Sequence, residues 1–204
     1  DRTSDDELKV PSVVIDDYKG AFLATTHLIN NGYERVAHVS GQQHIKGFHD
    51  RLNGYMAALT EYKIQVDRKL IYQGNLSIES GRAALDYFFR LVNIPDAVFA
   101  VEDYTALGVI KGLKERKINI PGGFGVMGFA NENFGEHITP SLSTVDQQTV
   151  QMGKSALGLL IAIISMKERK AETILPAKIV LEPGMDYRES ATGKKRTEGG
   201  KVAK

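Results

Sequence analysis

The chain has 204 residues, 42% of them hydrophobic and 25% charged, a mixture that can bury a sizeable core. Lys and Arg total 26 against 25 Asp and Glu, so the formal net charge of +1 gives no bulk attraction for nucleic acid. The absence of cysteine excludes a disulfide scaffold, a thiolate metal site and a cysteine nucleophile, and fits a reducing compartment.

The first ten residues, "DRTSDDELKV", are acidic and polar, unlike the basic and then apolar profile of a secretory signal. "VPSVVID" (10–16) follows as a β-branched run that reads as a buried strand. "YKGAFLATTHLINNGY" reads as a helix, with Gly32 placed to end it in a left-handed conformation. "RVAHVSG" is the next strand, and "DRLNGYMAALTEY" a helix with Leu52, Tyr55, Met56 and Leu59 on one face. "KLIYQG" is a strand, followed by the helix "SIESGRAALDYFFRL" capped by Ser77. "DAVFAVED" is a strand, "YTALGVIKGLKERKI" a helix and "FGVMGFAN" a strand. "PSLSTVDQ" is expected to be the end of a loop. It leads into a long helix, "TVQMGKSALGLLIAIISMKER", whose apolar run is too short to span a bilayer and is expected to be buried. "ETILPAKIVLE" is the last expected strand, and the Gly-rich basic tail (191–204) is expected to be disordered. Strands alternating with helices of this length imply an α/β fold, doubly wound, with mostly parallel sheets.

Gly123, Gly125 and Gly128 spell G-x-G-x-x-G, the pattern of a dinucleotide-binding loop. That loop needs a strand before its first glycine and a helix opening after its last, where the pyrophosphate sits. Here Gly125 and Gly128 lie in or beside the strand itself, and "NENFG" follows, so no dinucleotide cofactor is expected. Gly128 reads instead as a point where something must approach the backbone closely.

In open α/β sheets, ligands bind outside the carboxyl ends of the strands. Four such ends can be read here, at residues 40–43, 73–76, 101–103 and 129–131. His44 and His49 with Asp50 do not have the convergent spacing of a metal site, and no metal is expected. His27 and His38 read as half-buried helix and strand residues. No nucleophile, base and acid stand in a recognisable arrangement, and an enzyme is not expected.

Taken in order, "VPSVVIDDYKGAFLATTHLINNGYERVAHVSG", "RLNGYMAAL", "PDAVFAVEDYTALGVIKGLKERKINIPGGFGVMGFAN" and "PSLSTVDQQTVQMGKSALGLLI" resemble the sensor region of the LacI/GalR family of bacterial transcriptional regulators. The resemblance runs from Val10 to about Ser190. It implies a two-lobed sensor like a periplasmic binding protein, with an incomplete N-terminal lobe and no DNA-binding headpiece. Residues 1–40 and 145–178 would belong to the N-terminal lobe, and 41–144 with 179–190 to the C-terminal lobe. Chain crossovers are expected near residues 38–41, 144–147 and within 178–181.

The resemblance also assigns a ligand cleft. Arg51 falls where the family grips its effector, and its planar fork suits a diol, a purine edge or a phosphate. Leu76 stands where many relatives carry a stacking aromatic, Glu102 where an Asn is usual, and Ala130 where an Asp is usual, with Asn131 next to it. The implied function is effector sensing without catalysis, for a sugar, sugar phosphate or nucleobase. The implied setting is a cytoplasmic homodimer that meets operator DNA only through a headpiece and has no membrane contact. A solute-binding protein of the periplasm or cell surface is the second reading, and an α/β enzyme such as a dehydrogenase the third.

Overall fold

The computed structural model describes residues 11–169 and 178–193, with side chains described as far as residue 165 in the longest helix. The elements run β1 (Ser12–Ile15), α1 (Asp17–Asn30), β2 (Val36–Ser40), α2 (Lys46–Glu61), β3 (Ile71–Gln73), α3 (Ile78–Phe88), β4 (Ala97–Ala100) and α4 (Asp103–Glu115). They continue with β5 (Gly125–Ala130), β6 (Ser143–Asp146), α5 (Thr149–Arg169), β7 (Lys178–Leu181) and β8 (Gly184–Asp186). Ser77 caps α3 by accepting from the Ser80 amide at 3.0 Å, and Gly32 closes α1 at φ +87°, both as the local sequence demands.

Six strands form the main sheet in the order β3-β2-β4-β5-β6-β8, parallel throughout except for β8, which runs antiparallel to β6. The order reverses direction between β2 and β4, and that reversal opens a crevice at the carboxyl ends. Period-2 alternation divides the core between the two faces. Val39, Val98, Ala100 and Val126 pack under α3 and α4, against Leu85, Phe88, Val109 and Leu113. Val36, Phe99, Met127, Phe129 and Val145 pack under α1 and α2, against Ala21, Leu28, Tyr55 and Leu59. β1 and β7 form a separate two-stranded parallel sheet, against which α5 lies.

Five expectations change. The first crossover is not near residues 38–41: the chain leaves the small sheet after Ile15, and both α1 and β2 belong to the large layer. The reason is packing. Gly20 lets α1 settle so close to the sheet that a β-carbon there would meet the Phe129 ring at 2.8 Å and Val145 Cγ1 at 3.0 Å. The other crossings fall at the turns after β6 and after β7. "PSLSTVDQ" is not all loop, because Ser143–Asp146 pairs along β5 and its Ser143 and Thr144 are fully buried.

The run in α5 is not a buried helix. Leu159 is 8% exposed, but Leu157, Leu160, Ile161 and Ile164 are 58%, 53%, 55% and 49% exposed. His38 is not half-buried but enclosed, stacked at 5.1 Å on Tyr55 and 4.9 Å on Phe99. The start of the tail expected to be disordered is ordered, with Ala191 fully buried and its carbonyl 3.0 Å from His27 Nε2. Residues 172–177 of the last expected strand and 194–204 of the tail lie outside the described residues.

Candidate ligand cleft at the carboxyl ends of the strands

A cavity of about 380 Å³ opens at the carboxyl ends, at the small end of the range of roughly 300–1,000 Å³ for ligand sites. Ile45, Phe48 and Leu76 supply apolar wall, and Arg51, Glu102, Glu132, Gln147 and Thr149 supply polar groups. Each main-sheet strand from β2 to β6 therefore delivers its following residues to one place. Thr149, at the start of α5, brings in the other layer, so the cavity lies beside the second crossover.

Arg51 forms one wall and is only 5% exposed. Its Nε donates to Asp17 Oδ1 at 2.7 Å, its Nη1 donates to the Val101 carbonyl at 2.6 Å, and its guanidinium lies 3.6 Å from the Phe129 ring centroid. Asp17 is the first residue of α1, directly after the first crossover. Burial drives both groups toward neutrality: it raises the Asp17 carboxyl and lowers the Arg51 guanidinium, and in each case the partner's charge opposes it. Gly47 is part of this packing, since a β-carbon there would lie 2.9 Å from Asp17 Oδ2.

Glu102 caps α4, accepting from the Tyr104 amide at 2.8 Å and the Thr105 amide at 2.6 Å. Behind it Asp103 is fully buried, accepting from Thr144 Oγ1 at 2.7 Å and the Glu132 amide at 2.8 Å. Burial pushes its carboxyl up to about 6, with those hydrogen bonds pulling the other way. Gly128 explains its place here: any β-carbon would collide with Asp103 Oδ1. The glycine that looked like part of a dinucleotide loop makes room for a buried carboxylate that ties α4, the loop after β5 and β6 together.

Arg51, Leu76, Glu102 and Ala130 meet at this cavity. Asn131 does not line it. Its Oδ1 accepts from Arg188 Nη2 at 2.8 Å, and its amide donates to Thr144 Oγ1 at 3.3 Å. Leu76 (φ 69°), Ala130 (φ 136°) and Asn131 (φ 60°) all hold left-handed backbone, an accumulation of local strain typical of a site rather than of a plain connection. Phe48, Glu132, Gln147 and Thr149 join the cavity without having been singled out in the sequence. The strand-end rule, extended to β6, would have found Gln147. Among the described residues no cluster of His, Asp or Glu could hold a metal ion, and no helix is long and apolar enough to cross a membrane.

The chain matches the periplasmic binding protein-like domain family over residues 25–190. It is 34% identical over 152 residues to the transcriptional repressor PurR of Vibrio atlanticus (strain LGP32), covering 74% of this chain and 46% of that protein. It is 32% identical over 155 residues to the transcriptional repressor CytR of Escherichia coli (strain K12), covering 76% and 46%. Among solved structures, the regulator CelR in complex with cellobiose superposes with a TM-score of 0.81 at 32% identity, over 89% of this chain and 54% of that one. A LacI family regulator from Enterococcus faecium with bound ribose gives 0.83 at 26% identity, over 95% and 69%. The chain spans about half the length of the curated relatives it matches. With its parallel sheets and strand-end cleft, the chain belongs to the LacI/GalR family of transcriptional regulators, as a periplasmic-binding-protein-like effector domain.

Proposed function

We propose that the chain is the effector-sensing part of a transcriptional regulator, which takes a small polar molecule of the sugar or nucleobase kind into the cleft and performs no chemistry on it. The observation that carries this reading is the convergence of five strand ends on one cavity that also touches Thr149 across the second crossover. The relatives that PurR and CytR represent are named as repressors, and a related regulator is solved with cellobiose. Operator binding through a separate headpiece, homodimerisation and a cytoplasmic setting belong to the same proposal.

The cleft is built to report occupancy. Arg51 contacts Asp17 at the first crossover, and Gln147 sits at the second. A ligand that touches these residues interacts differently with different crossing geometries, and that difference is what shifts a conformational equilibrium.

A thermal-shift panel of sugars and nucleosides tests the reading, with Thr149→Trp as control. Thr149 is exposed at the cavity, so an indole there fills the space without disturbing the core. A ligand at 100 times its dissociation constant stabilises by about 2.7 kcal/mol, a shift of a few degrees. The expected result is stabilisation of the parent chain that Thr149→Trp abolishes. A shift that survives the tryptophan places the ligand elsewhere, and no shift with any compound rejects the reading.

A further inference from the structure

The charge inside the cleft selects among the ligands that its shape admits. Arg51 is the one cation among the residues lining the cavity. Its charge is met by Asp17 at 2.7 Å, two of its donors are engaged by Asp17 and the Val101 carbonyl, and its flat face lies on Phe129. It cannot turn its fork to an incoming anion without leaving Asp17 buried and unpaired. The same lining holds two further carboxylates, Glu102 and Glu132. Glu102 is partly balanced by the amides of the α4 terminus, which it caps. Glu132 is exposed at the rim; its backbone amide donates to Asp103 and its carbonyl accepts from the Gly135 amide, while its carboxylate has no hydrogen-bond or ion-pair partner among the described residues. Asp103 adds a third acidic group just behind both.

We infer that the cleft takes a polyhydroxylated ligand bearing a protonated amine, with the amine held by Glu132 and Glu102, and that it rejects phosphorylated ligands. The inference rests on the cleft reading above. Carboxylates accept hydrogen bonds and donate none, so a ligand that covers them must bring donors. An ammonium group brings three donors with the complementary charge. A phosphate brings acceptors and like charge into a partly enclosed space where repulsion is poorly screened. Ile45, Phe48 and Leu76 leave the apolar wall to the faces of the ring.

Matched triples test this by calorimetric titration of the full chain at neutral pH. For glucose, galactose and mannose, the free hexose is compared with its amino-deoxy counterpart and its phosphate ester. The expected result is that for at least one sugar the amino form binds about 10-fold or more tighter than the parent, the low end for a charge-assisted hydrogen bond. The phosphate ester of that sugar should show no binding. Glu132→Gln should bring amino and parent forms to within about 2-fold of each other while keeping the fold, because its side chain is exposed. Free hexose or phosphate ester binding as tightly as the amino form, or no amino form binding, overturns the inference. Hexose binding that Thr149→Trp abolishes would still leave the cleft reading standing in that event, which separates the two failures.

Discussion

At Arg51 the functional and structural roles meet in one side chain. The family resemblance makes Arg51 a ligand grip, but Arg51 and Asp17 have side chains only 6% and 9% exposed and are held to each other. Arg51→Ala should therefore destabilise the protein by about 3–5 kcal/mol, because it strands a buried carboxylate. Arg51→Met combined with Asp17→Leu should recover most of that loss, since paired hydrophobic groups replace a buried ion pair at little cost. Urea unfolding followed by circular dichroism measures both, a suitable probe because the chain has no tryptophan. A single alanine variant as stable as the parent would contradict the geometry. It also follows that lost ligand binding in Arg51→Ala does not separate recognition from folding, which is why Thr149 carries the binding test.

Two buried titratable residues oppose each other in acid. His38 donates from Nδ1 to the Phe99 carbonyl at 2.9 Å, while its Nε2 has no partner among the described residues; burial pushes it down to about 4. A lowered histidine contributes stability above its unfolded value of 6.5, lost as pH falls through 6.5 toward 4. Asp103, raised to about 6, works the other way. Its contribution is full below the unfolded value of 3.8 and is lost as pH rises through 6. Each amounts to about 3 kcal/mol. Between pH 6.5 and 4 the two slopes nearly cancel. Asp103→Asn removes one of them, so on acidification the variant should lose about 3 kcal/mol more than the parent does. Parallel stability curves for the two proteins over that window would show that Asp103 is ionised normally.

At the scale of the element, α5 shows how a periodic pattern can be read correctly as a helix and wrongly as core. Its bounds, Thr149–Arg169, are those the residue pattern predicts. Its burial depends on what covers it, and local pattern carries no such information. Leu157, Leu160, Ile161 and Ile164 recur at helical spacing as one exposed stripe, which is unusual for an isolated soluble surface. Leu160→Lys with Ile164→Lys should leave the helix intact and reduce self-association of these 204 residues. Sedimentation velocity at micromolar concentration checks this, and unchanged association would place the sticky surface elsewhere. β6 is the converse case. Four residues rich in Ser and Thr after a proline carry little strand signal, yet they pair between β5 and β8 with the first three buried, and Ser143 N–H and Oγ are held by Ser190 Oγ and the Arg188 carbonyl. Those partners arrive from more than forty residues away.

For the whole molecule, the two sheets differ in stability. The central strands β4 and β5 are covered on both faces, whereas β1 and β7 form only a two-stranded pair with Val180 at 54% exposure. A two-stranded sheet is marginal on its own. In native-state hydrogen exchange, amides of β4 and β5 should open only with global unfolding, and those of β1 and β7 at distinctly lower free energy. Equal protection in both sheets would mean that the small sheet is coupled to the large one more tightly than its packing indicates.

Alternating hydrophobic runs and helical stripes determined the α/β class, the order of most elements and the Ser77 and Gly32 helix ends, because each is settled by residues within a turn or a strand of one another. The motif order determined the family, and the strand-end rule with it pointed to Arg51, Leu76, Glu102 and Ala130. Tertiary structure alone decided which sheet each strand joins. Chain order favours pairing β1 with β2, but the close approach of Gly20 to Phe129 and Val145 draws α1 onto the large sheet and moves the first crossover to Ile15. It decided too that Asn131 faces Arg188 rather than the cavity, and that Glu132 and Thr149 line it. These are contacts between residues distant in the chain, set by how layers pack, and no local pattern of side chains records them.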